Sequence, residues 1–292
     1  MRRCAFLTLE DPTDFVIYDQ LAHAPFAERG WSVDEVPWTD ATDWNQYEAV
    51  VVRSPWDYAD DPERFLDVLA EIEASDARLG NGLATCRWNL EKTYLKELAE
   101  HGVALIPTVW GERLDDASTV EAWFDHFDSE EVVVKPTVAA GSEGVYRLRP
   151  GDDLAPVLAT FADRAFQAQP FVRDIVETGE TSVFAFLGET SHAVLKTPAA
   201  GDFRVQEEWG GHIQAVTPSA DESAAAEHAL AVASEILGEP MLYARADLVR
   251  LADGTPALIE LELIEPSLYF PYDDASPARF ADAFVRWMAM PA

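Results

Sequence analysis

The chain reads as an α/β domain built on a parallel sheet, followed by α+β structure. Three observations support this reading. Apolar strand-like runs alternate with amphipathic helical runs through residues 1–85, the pattern of a parallel sheet with helices on both faces. Two apolar runs flank Asp253-Gly254 near the C-terminal end, a strong hairpin turn signal. Hydrophobic residues make up 48% of the 292, material enough for two or three cores around a cleft.

Composition narrows the function. No apolar run reaches the roughly 18 residues of a membrane span, and Glu10-Asp11 cut off the apolar stretch after Arg2-Arg3, so the N-terminus reads as a strand and not a signal peptide. Two cysteines, Cys4 and Cys86, lack metal-binding spacing and suit the core of a reduced, cytoplasmic protein. The net charge of −32 argues against nucleic acid and anionic membranes as partners. Adaptation to high salt and the arginine bias of a GC-rich genome both fit the scarcity of lysine. The pattern leaves the oligomeric state open, a homodimer included.

Element by element, Cys4–Leu9 reads as a strand, Tyr18–Arg29 as a helix stopped by Gly30, and Ser32–Pro37 and Tyr47–Arg53 as strands. A helix over Pro62–Ala74 and a short strand ending near Asn81 follow. Arg53, Ser54 and Asp57 come just after an apolar strand, where open α/β sheets place ligands; a packed aromatic turn is the plain alternative. A helix over Trp88–His101 runs into Gly102, then come an extended Leu105–Val109, a helix near Ala117–Phe127 and the strand Val132–Pro136. Ala165–Phe171, Thr181–Leu187 and His192–Lys196 read as strands. Ser223–Leu237 is a long helix, Tyr243–Ile264 a hairpin and Pro277–Ala289 a closing helix.

Lysine is the first chemical clue. The chain has four: Lys92, Lys96, Lys135 and Lys196. Lys135 ends a run of three valines and precedes Ala139-Ala140-Gly141-Ser142-Glu143-Gly144, a small-residue loop whose backbone N–H groups could close around phosphate. An exposed hairpin would look similar. The hairpin supplies the second clue. A two-residue turn places Asp247 opposite Glu260, and a four-residue turn places it opposite Glu262. Either register sets all three carboxylates on one face and Leu248, Leu261 and Leu263 on the other. Like charges so placed repel, and a hard cation such as Mg²⁺ relieves that repulsion through oxygen ligands. The plain alternative is an acidic solvent face. Arg204, between Gly201 and Gly210-Gly211, could bind phosphate or a developing oxyanion, or lie in a surface loop. His192 reads as a packed strand residue.

The ordered set resembles the ATP-grasp superfamily, in particular its glutathione-synthetase-like and ribosomal-protein glutamate-ligase-like branch. It comprises Trp88-Asn89-Leu90-Glu91-Lys92, the valines with Lys135-Pro136, Gln169-Pro170-Phe171-Val172, Gly179-Glu180-Thr181-Ser182, Asp202-Phe203-Arg204 and Asp247 with Glu260-Leu261-Glu262. Val52–Tyr58 and Glu260–Ser267 look most like the subgroup that includes the D-cycloserine-forming cyclo-ligase. The resemblance implies a pre-ATP-grasp α/β domain (1–85), a central ATP-grasp lobe (86–170) and a C-terminal lobe (171–292), the last two being α+β.

It also implies that Lys92 and Lys135 contact phosphates under the loop containing Gly141, Ser142 and Gly144. Gln169, Phe171 and Val172 would meet adenine, Glu180 the ribose (with Glu177 as an alternative), and Arg204 the γ-phosphate. Asp247, Glu260 and Glu262 would hold Mg²⁺; the family often has asparagine at the third position. Arg53, Ser54 and Asp57 would face the substrate. The implied reaction is ATP-dependent formation of an acyl phosphate, then attack by an amine-type nitrogen, on small-molecule carboxylate and amine substrates. Intermolecular ligation, a small-molecule kinase on the same fold and a nucleotide-binding regulator without turnover are the alternatives.

Overall fold

A computed structural model describes residues 1–138 and 144–291. Strand β1 (Arg2–Thr8) lies between β2 (Trp31–Pro37) and β3 (Ala49–Ser54), and β4 (Arg78–Gly80) extends the sheet beside β3; all pairings are parallel. The helix expected over Tyr18–Arg29 is shorter. A single 3-10 turn (Asp19–Ala22) leads into α1 (His23–Glu28). Pro25 explains this, because a residue without an N–H is tolerated in the first helical turn and not further in. Helix α2 (Pro62–Glu73) buries Phe65, Leu69 and Ile72, spaced to share one face, and Asp61 caps it by accepting from the Arg64 N–H.

The pattern over Trp88–His101 resolves into two helices, α3 (Leu83–Leu90) and α4 (Tyr94–Glu100). Next come β5 (Val109–Gly111), α5 (Ala117–Phe127), β6 (Val132–Pro136), β7 (Tyr146–Leu148), α6 (Ala155–Thr160) and β8 (Phe166–Pro170). Their strands form an antiparallel sheet in the order β5-β8-β6-β7.

The remaining elements are α7 (Asp174–Glu177), β9 (Glu180–Phe186), β10 (Glu189–Thr197), β11 (His212–Val216), α8 (Ala220–Leu237), β12 (Tyr243–Arg250), β13 (Pro256–Glu262) and α9 (Ser276–Met288). They build a five-stranded antiparallel sheet, β11-β10-β9-β12-β13. One face is sealed by α8, whose Ala226, Ala229 and Leu230 pack with Leu248, Leu258, Leu261 and Leu263. The capping box of Ser219 and Glu222 starts that helix, and Gly238 at φ 72° ends it.

Helix α9 ties the first sheet to the last. Phe280, Phe284 and Trp287 of α9 join one core with Phe6, Phe26, Trp31 and Val51 of the first domain and with Phe184, Phe186 and Tyr243 of the last sheet. The Phe284 ring lies 4.7 Å from Phe26 and 4.8 Å from Trp31. Asn81, at φ 54°, adds a polar tie: its amide donates to the Tyr243 and Leu263 carbonyls and accepts from the Leu242 N–H. Among the described residues no helix is long and apolar enough to cross a membrane.

Candidate active site

A cavity of about 790 Å³ opens between the three sheets, inside the roughly 300–1,000 Å³ range of small-ligand sites. Its two ends differ in chemistry. One is an apolar slot formed by Ile106, Val133, Phe171, Val172 and Ile175. Phe171 is wedged between the Arg147 guanidinium, 3.6 Å above its ring, and the edge of Phe203. Gln169 lines the slot while its amide donates to the Thr108 hydroxyl at 2.9 Å. A flat, weakly polar ring fits such a slot.

The other end is charged. Lys92 reaches it because the helix breaks at residues 91–93: the Lys92 N–H leaves the helical pattern and donates to the Thr137 carbonyl at 2.8 Å. Its ammonium sits 2.9 Å from Glu260. Lys135 emerges from the end of β6 as alternation demands, with Val132 and Val134 turned into the core. Burial pushes its pKa down to about 8, with Lys92 adding to the fall and Glu260 and Glu180 opposing it. On the neighbouring sheet Lys196 pairs with Glu180 and stands 3.3 Å from Asp247.

Asp247 pairs with Glu260 and Arg245 with Glu262, the partners a two-residue turn would give, although the turn itself has three residues, 252–254, closed by the Leu251 N–H on the Thr255 carbonyl. Nearer the turn Leu248 pairs with Leu258, which leaves Ile259 unpaired as a bulge. The extra residue lets Ile259 face the cavity while Leu258 stays in the apolar core. Arg245 spans Asp247 and Glu262 together, and the Ser182 hydroxyl donates to Asp247 at 2.5 Å. Burial alone would raise the Asp247 pKa, but Arg245 and Lys196 hold it below the ordinary carboxylate range. Burial pushes Glu262 up to about 8 against the pull of Arg245, and Glu265, hydrogen-bonded to Tyr58, up to about 7.

Lys92, Lys135, Gln169, Phe171, Val172, Glu180, Arg204, Asp247, Glu260, Glu262 and Asp57 all line this one cavity. Arg53 and Ser54 do not. Arg53 is fully buried, donating to Asp19, the Val52 carbonyl and the Pro266 carbonyl, with the Tyr243 ring against its guanidinium. Ser54 is equally buried. Their expected substrate contact gives way to a structural role, because both side chains are enclosed in the core and neither reaches the cavity. Glu177 sits on α7 outside the lining, Gly144 packs near Pro136 and Arg164, and Gly141 and Ser142 lie outside the described residues.

Arg204 leans on Trp209 at 3.6 Å and pairs with Asp202. Its loop folds back through Gly211, where a Cβ would stand 2.1 Å from the Val205 carbonyl oxygen, so only glycine fits. His192 is packed as expected, stacked 4.3 Å from Phe184. Cys4 and Cys86 are buried. The residues not foreseen are Arg245, Glu265, Glu207 and Tyr269. Of these, Arg245 carried a signal, since strand alternation puts it on the same face as Asp247.

Residues 4–81 match the family described as D-cycloserine synthetase DcsG, N-terminal domain. Over 266 residues the chain is 35% identical to the cycloserine biosynthesis protein DcsG of Streptomyces lavendulae, spanning 87% of this chain and 88% of that one. It belongs to the DcsG family of ATP-grasp ligases. The crystal structure of D-cycloserine synthetase DcsG superposes with a TM-score of 0.87 at 32% identity, covering 98% of this chain and 99% of that one. D-alanine–D-alanine ligase from Bacillus anthracis shares the fold, with a TM-score of 0.70 at 14% identity over 99% and 98% of the two chains.

As a member of this family the chain is an ADP-forming carbon–nitrogen ligase that uses ATP and Mg²⁺. The residues present suit the metal. Among the described residues no three His, Cys, Asp or Glu side chains form a cage by themselves. Mg²⁺ is commonly held by one or two carboxylates together with substrate phosphates, and not by an all-protein cage. Asp247, Glu260 and Glu262 offer oxygen donors only, the donor type a hard cation takes.

Proposed function

We propose that this enzyme closes a ring within one substrate, activating a carboxylate and capturing it with a nitrogen of the same molecule, as the name D-cycloserine synthetase implies for its relative. One observation carries the reading: the segment matched by the family, residues 4–81, is the part that brings Trp56, Asp57 and Tyr58 into the cavity. The likeness therefore extends to the wall that a substrate would touch, beyond the ATP-binding frame.

In this reading the adenine lies in the slot at Phe171, and Lys92 and Lys135 hold the phosphates. A substrate carboxylate oxygen attacks the γ-phosphorus; the bond to the β,γ-bridging oxygen breaks, leaving ADP and an acyl phosphate. Arg245 and Arg204 neutralise charge on the transferring phosphoryl group and on the tetrahedral oxyanion that follows. Asp247, Glu260 and Glu262 would hold Mg²⁺, which supplies charge neutralisation on the phosphate oxygens. The nitrogen then attacks the acyl carbon, phosphate departs, and the nitrogen gives up its proton. Positioning and electrostatics suffice, and no side-chain nucleophile is needed.

Opening the amide of cycloserine by hydrolysis gives β-aminooxy-D-alanine, so the test uses that acid, free and N-acylated, with Mg²⁺-ATP. ADP release should accompany a product one water lighter than the acid, read by mass spectrometry. Accumulation of a stable phosphorylated acid, or ADP release with none of the candidates, would refute the proposal.

A further inference from the structure

Glu180, Asp247, Glu260 and Glu262 each face a cationic side chain of the protein itself. Glu207 lines the same cavity and is held differently. The Tyr18 hydroxyl lies 3.1 and 3.2 Å from its two carboxylate oxygens, and the Tyr272 hydroxyl lies 3.1 Å from Oε1. Among the described residues, no ion pair includes Glu207. Two phenols fix the carboxylate by donating to it, but they bring no positive charge. Its negative charge is left for something else in the cavity.

The surroundings suit a cation. The Tyr269 ring lines the cavity 6.4 Å from the Tyr18 ring and 5.8 Å from the Tyr272 ring. Its backbone is left-handed, at φ 44°, a conformation uncommon for a bulky residue. Tyr269 has Lys196, Arg245 and Asp247 as charged neighbours, and Glu207 as well. One aromatic side chain thus borders both the cations that would handle the phosphoryl group and the Glu207 carboxylate. Aromatic faces attract ammonium groups within about 6 Å.

We propose that Glu207, clamped by Tyr18 and Tyr272, is the receptor for an ammonium group on the acid whose carboxylate is activated, and so sets the enzyme's preference for amine-bearing acids. The assignment rests on the ligase reading for the reaction and on the cyclo-ligase reading only for which acid is used. The anchored ammonium would fix the acid at one end while its carboxylate lies toward Arg245.

The test uses matched pairs: β-aminooxy-alanine against 3-aminooxypropanoate, each free and N-acylated, and common α-amino acids against their α-hydroxy counterparts, with a trapping amine such as hydroxylamine supplied. The wild type should release ADP with the amine-bearing member of the productive pair. In Glu207→Gln, KM for that acid should rise about 10- to 100-fold, as for losing a charged hydrogen bond, with KM for ATP unmoved. The ratio between pair members should then fall toward one. Tyr272→Phe, which keeps the carboxylate and loosens it, should shift the same ratio less, and it carries the test should Glu207→Gln unfold.

A wild-type preference retained in both variants, or a wild type that takes the desamino acid equally well, would overturn the assignment. If the aminooxy pairs are inert while an α-amino acid pair shows the Glu207-dependent preference, the cyclo-ligase reading fails and the Glu207 assignment stands.

Discussion

Arg245 stands directly opposite Glu262 across the β12–β13 ladder and also grips Asp247, two residues along its own strand. One guanidinium therefore holds two of the three carboxylates of the proposed metal face. Its planar fork of five donors allows this, where an ammonium would act as a single point charge.

Arg245→Lys should accordingly lower kcat by about 10²-fold or more, in the range seen when an oxyanion donor is removed. KM for ATP should stay close to that of the wild type, since Lys92 and Lys135 are the residues proposed to hold the nucleotide's phosphates. ADP release at saturating substrates measures it, and a kcat within threefold of the wild type would remove Arg245 from the chemistry.

Lys135, proposed to hold phosphate, should link nucleotide binding to pH. Its free-enzyme pKa of about 8 means that the charged form dominates below that value. Phosphate favours the charged form and pulls the pKa up, so ATP affinity should weaken as pH rises above about 8. Lys135→Ala should weaken binding by roughly 1–3 kcal/mol and flatten that dependence. Calorimetry with a non-hydrolysable ATP analogue over pH 7 to 9.5 tests both; an unchanged slope in the variant would contradict the assignment.

Glu260→Gln should abolish turnover at ordinary Mg²⁺ while the thermal midpoint without metal stays within a few degrees of the wild type. Glutamine keeps the shape of the side chain, and its amide oxygen can still accept from Lys92, so the packing around the pair is retained. An active variant, or one that unfolds outright, would end the proposed metal role.

His192 makes a prediction about stability alone. Burial pushes its pKa down to about 4, against a hydrogen bond to the Leu268 carbonyl and the charge of Asp273, which favour protonation; Arg279 works with burial. The ordinary histidine value is near 6.5. Between those two values the unfolded chain binds a proton that the folded chain refuses, so folding stability falls as pH drops from about 6.5 to about 4. The full effect is on the order of 3 kcal/mol. Unfolding curves for the wild type and His192→Gln should diverge in slope over that window, and parallel curves would contradict the buried neutral imidazole.

Much of the site could be read before folding because it follows strand parity. Lys135 emerges where its valine run ends, and Asp247, Glu260 and Glu262 share a face under either turn length. The same parity covers Arg245, two positions from Asp247 on the same strand. Other features had no local signal. Nothing near Ile259 marks a bulge, since turn arithmetic assumes an unbroken ladder. No proline or glycine marks the break at 91–93; the pull comes from the distant Thr137 carbonyl. Arg53 looks like a ligand residue until Asp19, 34 positions away, takes it up. Glu207 meets Tyr18 across 189 positions, a contact only the tertiary fold creates.

The aromatic seam formed by Phe280, Phe284 and Trp287 has a consequence for how the protein is made. The first sheet is translated early, yet the helix covering its Phe6, Trp31 and Val51 face leaves the ribosome only after both other sheets. Until then that face is an apolar surface open to water and to other nascent chains, the circumstance in which chaperones are engaged. A message truncated just before residue 276 would therefore yield a chain with nearly every active-site residue present and its oldest strands uncovered. Such a product should be trapped by chaperones or aggregate, and not accumulate as a weak enzyme.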